Sequence, residues 1–332
     1  MVNKKKKRKK IIQEPKVPPK IFEAASNGKL VVFIGAGVSR IIGCPSWEEL
    51  SNIHLKYLYD MEEINYHEFI NLRLLDTRKL LSICKNIYET KNINPPSMET
   101  IFKGEDKLSN KFKIYEDLYS FKAIYVTTNY DNHLDKVAER TVSNTQINIK
   151  SRDDFTSEID TSSRDSFGKV FYKKDEILIS NLEQGNVIHL HGSINNYAEA
   201  IITTVDYINH YNKDRGNRVA VFLEEMFEKY TVLFAGYGLE EYEILEFLIK
   251  DIPKAKDYRH FMLYPMFAKD ENLLVFYEEY YKALGISLIP YSIDKKGYAQ
   301  LAQVIKKWAK EISKYSRPKY FYETVKLLDE VI

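Results

Sequence analysis

Cysteine is scarce in this chain of 332 residues: only Cys44 and Cys84 occur. Two thiols exclude a disulfide framework and a four-cysteine zinc site within one chain, and they fit a reducing, cytoplasmic setting. Long apolar runs are missing too. No stretch of 18 or more apolar residues exists, so no membrane span is expected. Residues 11–28 hold Pro15, Pro18, Pro19 and two acids where a secretory signal needs an apolar core. Internal repeats are absent, which excludes a solenoid. There is also no large surplus of one charge. The 49 basic and 47 acidic residues give a formal net charge of +2. Seven of the basic residues run together from Lys4 to Lys10, and the remaining 42 against 47 acids leave −5. A mildly acidic body disfavours a general nucleic-acid-binding surface.

What is present reads as a globular chain: 44% hydrophobic and 29% charged. Residues 1–19 read as a basic, disordered arm, a candidate contact for nucleic acid, an acidic partner or a membrane surface. A helical segment follows around Ile21 to Ala25, with Gly28 as its cap. Leu30 to Ile34 is a continuous, β-branched apolar run that ends at Gly35-Ala36-Gly37, the pattern of a parallel strand buried on both faces. Similar runs recur at 123–126, 187–190, 231–235, 261–264 and 286–289, the last two stopping at Pro265 and Pro290. Strands alternating with helical patterns predict an α/β fold, Rossmann-like and doubly wound, with a mostly parallel sheet. Its ligand belongs beyond the carboxyl ends of the strands. Residues 46–120 break the rhythm. Ser46-Trp47-Glu48-Glu49 is a capping-box start, and helical periodicity follows, so a helical insertion is expected there. Residues 141–185 are polar and read as loop or lid. Residues 298–332 read as one or two terminal helices, a candidate surface for oligomer or partner contact.

Four motifs sit at the predicted strand ends. Gly35-Ala36-Gly37-Val38-Ser39 offers close backbone approach and N–H groups for an anion such as a pyrophosphate. The plain alternative is a tight strand-to-helix turn, and no acidic residue caps a second strand as a dehydrogenase fingerprint requires. Thr127-Thr128-Asn129-Tyr130-Asp131 places an amide and a carboxylate where a turn with a helix cap would also put them. In His189-Leu190-His191-Gly192-Ser193, alternation puts the two histidines on one strand face. Ala235-Gly236-Tyr237-Gly238-Leu239 is a second glycine turn that would admit a nucleotide.

In this order the motifs resemble the sirtuin family, and most closely the sirtuin-like NADase domains of prokaryotic antiviral defence systems. Gly43-Cys44-Pro45-Ser46-Trp47 and Ile202 to Tyr207 add to the resemblance, which spans about residues 28–292 within a catalytic domain taken as residues 20–297. It implies an NAD-binding domain with NAD as substrate. Gly35, Ala36, Gly37, Val38 and Ser39 would hold the pyrophosphate. Asn129 would be the catalytic asparagine that positions the nicotinamide ribose and the attacking water. Asp131 would lie near the nicotinamide, and His191, the catalytic histidine, beside the ribose hydroxyls with Ser193 next to it. Gly236, Tyr237 and Leu239 would line the adenosine half.

Two departures from the family bear on the reaction. Deacetylating sirtuins carry a four-cysteine zinc module after the histidine-glycine motif, and here no cysteine follows Cys84, so no zinc is expected. Their Pro-Asp-Phe-Arg segment is replaced by Pro45-Ser46-Trp47-Glu48. Both losses favour water over acyl-lysine as acceptor. The resemblance therefore implies an NAD⁺ glycohydrolase of abortive-infection defence, releasing nicotinamide and ADP-ribose. Its alternatives are a non-catalytic NAD or ADP-ribose-binding subunit, or a protein deacylase or ADP-ribosyltransferase. Family relatives pair with HerA-like ATPases, Argonaute proteins or nucleotide-sensing pyrophosphatase-like proteins. A gate by such a subunit, or by homo- or hetero-oligomerisation, is expected.

Overall fold

The computed structural model describes residues 11–104, 112–150, 168–212, 217–239, 241–250 and 259–314. A seven-stranded sheet in the order β3-β4-β2-β1-β5-β6-β7 runs through the molecule. Its strands are β1 (Leu30–Ile34), β2 (Ile124–Thr127), β3 (Val170–Phe171), β4 (Val187–His189), β5 (Thr231–Ala235), β6 (His260–Met266) and β7 (Ile286–Ser292). All adjacent pairs are parallel, so the predicted Rossmann-like α/β class holds. The unbroken apolar run of β1 has a direct cause, because both faces are covered and every residue is buried. Val32 and Ile34 feed one core, against helices α1 (Pro19–Ser26), α2 (Ala36–Ile41), α7 (Lys113–Tyr119) and α13 (Gln300–Ile312). Val31 and Phe33 feed the opposite core, against α9 (Thr204–Tyr211), α10 (Arg218–Lys229) and α11 (Tyr242–Lys250). Each such fully buried side chain contributes on the order of 1.5–3 kcal/mol.

β1 pairs with β2 on one side and with β5 on the other. The chain therefore winds outward from β1 in one direction and later returns to continue in the other. That is a topological switch point, and open α/β sheets bind their ligands there, beyond the carboxyl ends of β1 and its neighbours.

The helical insertion is present as α3 (Trp47–Asp60), α4 (Tyr66–Arg73), α5 (Thr77–Lys91), α6 (Met98–Ile101) and α7. The Ser46–Glu49 capping box opens α3 as the sequence predicts. Leu55, Leu58, Ile64, Leu80, Cys84 and Tyr88 form a small core of its own. Thus the insertion folds on itself and docks as a unit.

Several boundaries differ from expectation. Residues 141–150, read as loop or lid, complete α8 (His133–Lys150), whose Leu134, Val137 and Ala138 are buried. The two-residue β3 also falls inside that supposed loop, and residues 151–167 lie outside the described residues. β6 and β7 continue through Pro265 and Pro290. β5 pairs with β6 only as far as Met262, and β7 is the edge strand, so each proline's missing N–H faces no second neighbour. The basic run lies outside the described residues, but residues 11–18 of the supposed arm are packed. Ile11 and Val17 are buried, Ile12 bridges Tyr291 on the β7 edge, and the buried Trp308 indole donates to the Pro15 carbonyl at 2.8 Å. The apolar face of α13 is used in the same core, and residues 315–332 are outside the described set. Among the described residues, no helix is long and apolar enough to cross a membrane.

Candidate functional site

The two glycine turns meet at the switch point and clasp each other. Gly37 N–H donates to the Gly236 carbonyl at 2.8 Å, and Gly35 N–H to the Ala235 carbonyl at 3.0 Å. A Cβ on Gly35 would stand 2.5 Å from the Tyr237 Cα, and one on Gly37 2.8 Å from the Gly236 oxygen. Gly236 sits at φ +63° with the Val38 nitrogen 2.6 Å from its would-be Cβ. Turn-on-turn packing thus accounts for all three glycines. Val38 is wholly buried and serves the core, whereas Ala36 and Gly238 are the exposed members of the two turns. Leu239 is buried at φ +54°, where the chain turns toward α11.

The second strand end adds polar groups. Thr127 closes β2 by donating its hydroxyl to the Ile34 carbonyl at 2.9 Å while accepting from the Asn129 N–H at 3.0 Å. This bend carries the half-buried Asn129 over the first glycine turn. Its amide donates to the Gly35 carbonyl at 3.1 Å and to Ser39 Oγ at 2.8 Å. Ser39 in turn donates to Asp131 at 2.5 Å, and the Tyr115 hydroxyl approaches both Ser39 and Asp131 at 3.1 and 3.3 Å. Burial, then the Asp131 charge, holds the Tyr115 phenol well above its usual range, so it stays a donor.

The end of β4 supplies His191, only 1% exposed. Its Nε2 is 2.6 Å from the Tyr211 hydroxyl and its Nδ1 3.4 Å from the Tyr207 hydroxyl. Glu241 lies 3.8 Å from Nε2 and accepts from the Tyr237 hydroxyl at 2.9 Å. Burial first, then His210 and Arg78, pushes the His191 pKa well below 6.5, so the ring is neutral. Tyr237 packs on Phe33 and Phe234, with ring centroids at 4.8 and 5.9 Å. Ser193 is fully buried behind the histidine, in the turn made by Gly192 at φ +78°.

The structure therefore brings Asn129, Ser39, Asp131 and Gly35 into direct contact. His191 lies at the end of the neighbouring strand, in an aromatic pocket with Tyr207, Tyr211 and Tyr237. The two groups are joined by the β2–β4 pairing, with Thr127 opposite His189. No described hydrogen bond links Asn129 to His191 directly. The sequence reading missed Tyr115, Tyr211, Glu241 and Arg78. Arg78 comes from α5 of the insertion, forms a fork with Glu243 at 2.7 and 3.3 Å, and lies 3.8 Å over the Tyr207 ring. Only Glu241, two residues past Leu239, had a positional signal. Asp206 turns out to cap α9, accepting from Thr203 N–H at 2.8 Å, which aims Tyr207 at the histidine. A cavity of about 370 Å³, lined by Lys20, Lys29, Lys229 and Arg259 among others, lies at the opposite end of the sheet, away from these groups.

The donor set suits a dinucleotide. The Asn129 amide and the Asp131 carboxylate stand over the first glycine turn, and the neutral His191 imidazole stands past the end of the neighbouring strand. Among the described residues no group of three or more His, Cys, Asp or Glu is placed to hold a metal ion. The model of the SIR2-like domain family matches residues 123–289. The chain is also similar to Defense-associated sirtuin 2 of Bacillus subtilis, 26% identical over 295 residues. That alignment covers 85% of this chain and 25% of the relative, so the chain spans about a quarter of the relative's length.

Proposed function

The chain belongs to the SIR2-like domain family, and from that premise we propose that it is an NAD⁺ glycohydrolase serving antiviral defence. NAD-dependent chemistry is what the family suggests, and the defence role follows the relative's name. One observation carries the choice of reaction: Asn129, a neutral polar amide, sits at the switch point, and His191, past the end of the neighbouring strand, is buried and uncharged.

Cleaving the nicotinamide–ribose bond expels a neutral base and leaves an oxocarbenium-like centre, as in other glycoside cleavages. Water adds to that centre, and the products are nicotinamide, ADP-ribose and a proton. Asn129 can exchange its bonds to Ser39 and Gly35 for bonds to the ribose and the water, without adding charge. His191, neutral at cellular pH, can accept the proton of a ribose hydroxyl or of the water. Such positioning contributes on the order of several kcal/mol to lowering the barrier.

The reading includes a gate. The Gly35 and Gly37 N–H groups and the Asn129 amide are all committed to protein acceptors, and His191 is 1% exposed. A dinucleotide must displace those bonds and open the aromatic pocket. A separate sensor subunit or oligomerisation is the proposed opener, of the HerA-like, Argonaute or pyrophosphatase-like kinds noted above.

Purified chain, alone and with candidate partners, is incubated with NAD⁺ while nicotinamide and ADP-ribose are followed. Release of both, abolished by Asn129→Ala and by His191→Ala, is expected. Tight binding without turnover under every condition would instead favour a binding subunit. Turnover only with an acyl-lysine peptide would favour a deacylase.

A further inference from the structure

We propose that His189 is a positioning residue, an imidazolium that clamps the Asn129 backbone so that its side-chain amide alone is free to exchange partners. The inference rests on the hydrolase reading above and goes one layer beneath it.

His189 ends β4 and is 1% exposed. Its Nε2 lies 2.8 Å from Asp135 Oδ1, and its Nδ1 lies 3.0 Å from the Asn129 carbonyl oxygen. Both partners are acceptors. A neutral imidazole carries one N–H, so with Asp135 ionised only a doubly protonated ring satisfies both bonds. Asp135, on α8, is 1% exposed, and its other oxygen is buried without a hydrogen-bond partner. The proton it shares with His189 is thus its described means of compensation, and an uncompensated buried carboxylate is costly. Burial acts against the ring's charge. The Asp135 charge and hydrogen bond, the Asn129 carbonyl and the more distant Asp131 charge outweigh it, and the pKa rises above 6.5.

The result is a split between two histidines two residues apart, His189 meeting α8 on one side of the sheet and His191, past the end of β4, meeting α9 on the other. His191 is neutral because burial, with His210 and Arg78 nearby, disfavours its charge, whereas His189 is cationic because the Asp135 carboxylate hydrogen-bonds its ring. Pairs whose environments push their pKa values apart commonly divide a site's roles. Here the neutral ring is left for proton transfer, and the charged one holds the scaffold. The Asn129 peptide is gripped on both sides, its N–H by Thr127 Oγ1 at 3.0 Å and its carbonyl by His189.

The test uses the full chain with whatever partner activates it. Nitrogen-15 histidine spectra of the wild type at about pH 6.5 are expected to place His189 as mainly doubly protonated, and His191 as neutral. In Asp135→Asn the His189 ring should lose its second proton near neutrality, and kcat should fall as pH rises through that step. His189→Leu should lower kcat roughly 100-fold with little change in KM, the scale of an ångström's misplacement. His189→Asn keeps a donor near the Nδ1 position and should recover at least tenfold of that loss. Urea midpoints confirm that each variant is folded. A wild type that cleaves no NAD⁺ but shows the doubly protonated ring sinks the hydrolase reading and leaves the clamp standing. A wild type that cleaves NAD⁺ with a neutral His189 overturns the clamp, as does equal kcat loss in folded His189→Leu and His189→Asn.

Discussion

Two glycines with the same backbone angle offer a controlled test of the clasp between the turns. Gly28 and Gly236 both sit at φ +63°. A Cβ on Gly28 would meet nothing within 4 Å, whereas on Gly236 it would stand 2.6 Å from the Val38 nitrogen and 3.0 Å from the Gly37 carbonyl carbon. Alanine in the left-handed region costs roughly 1–2 kcal/mol, and alanine's smaller unfolded-state entropy returns about 0.4–1 kcal/mol. Gly28→Ala should therefore destabilise by about 0.5–1 kcal/mol. Gly236→Ala carries the same terms and adds overpacking, about 1–3 kcal/mol, because backbone atoms cannot rotate away. It also strains the Gly37–Gly236 hydrogen bond of 2.8 Å. The expected total is roughly 2–4 kcal/mol. Gly35 isolates the steric part: its φ is −111°, an ordinary value, yet its Cβ would stand 2.5 Å from the Tyr237 Cα. Gly35→Ala should cost about 1–3 kcal/mol. Urea unfolding midpoints at a constant slope give the three values. The double variant Gly35→Ala/Gly236→Ala should fall short of the sum, since either change already parts the turns. If Gly236→Ala proves no worse than Gly28→Ala, the clasp is not a tight contact and the reasoning fails.

Acid should unfold the protein early, because burial lowers His54 and His210 to about 4 and His260 to about 3. Unfolded histidines take up protons near pH 6.5, so stability is full above that value and drops below it, by roughly 2 kcal/mol per residue at pH 5; equal urea midpoints at pH 7.5 and 5.0 would contradict this. His189 has the opposite sign, its contribution being complete below 6.5 and lost as pH rises through its raised pKa. Arg78→Ala removes both the fork to Glu243 and the stacking on Tyr207, and should speed amide exchange in α5 and α9 while the sheet strands stay protected. Unchanged exchange in α9 would show that Arg78 does not hold the insertion down. Trp308→Ala empties a fully buried site and frees the Pro15 carbonyl, so it should cost about 3–5 kcal/mol in the same urea assay.

Features set by neighbours in sequence were legible before the fold was known. The apolar run of β1, the Ser46–Glu49 capping box and the glycine turns each need only a few adjacent residues, and all three are where the pattern put them. The same locality explains one change of meaning. The glycines were read as room for a pyrophosphate, yet Gly35 and Gly37 are packed against a turn some 200 residues on, an approach that periodicity does not reveal. Long-range partners were out of reach for the same reason. Alternation predicts His189 and His191 on one face, but β4 ends at His189 and the rings meet opposite sides of the sheet, Asp135 on α8 and the tyrosines on α9. Arg78 meets Glu243 across 165 residues, from an insertion whose docking side no pattern marks. Polarity misled at 141–150, which continue α8, a helix whose first turns bury Leu134, Val137 and Ala138.

On the hydrolase reading, magnitudes decide which half of the site acts as the gate. The Asn129 amide trades two hydrogen bonds for others of the same kind, and each is worth about 1 kcal/mol net, so the exchange is close to neutral. The His191 side differs. Tyr207 and Tyr211 are 3% and 6% exposed, and Tyr207 is held under the Arg78 guanidinium. Turning one such ring into water uncovers about 150–250 Å², roughly 4–6 kcal/mol at 25 cal/mol per Å². A population penalty of that size keeps the open form at about one part in a thousand or less. The polar half then needs little rearrangement while the aromatic half is shut, and a partner that opens the site as proposed would act on α9, which carries the two rings, and on α5, which carries Arg78.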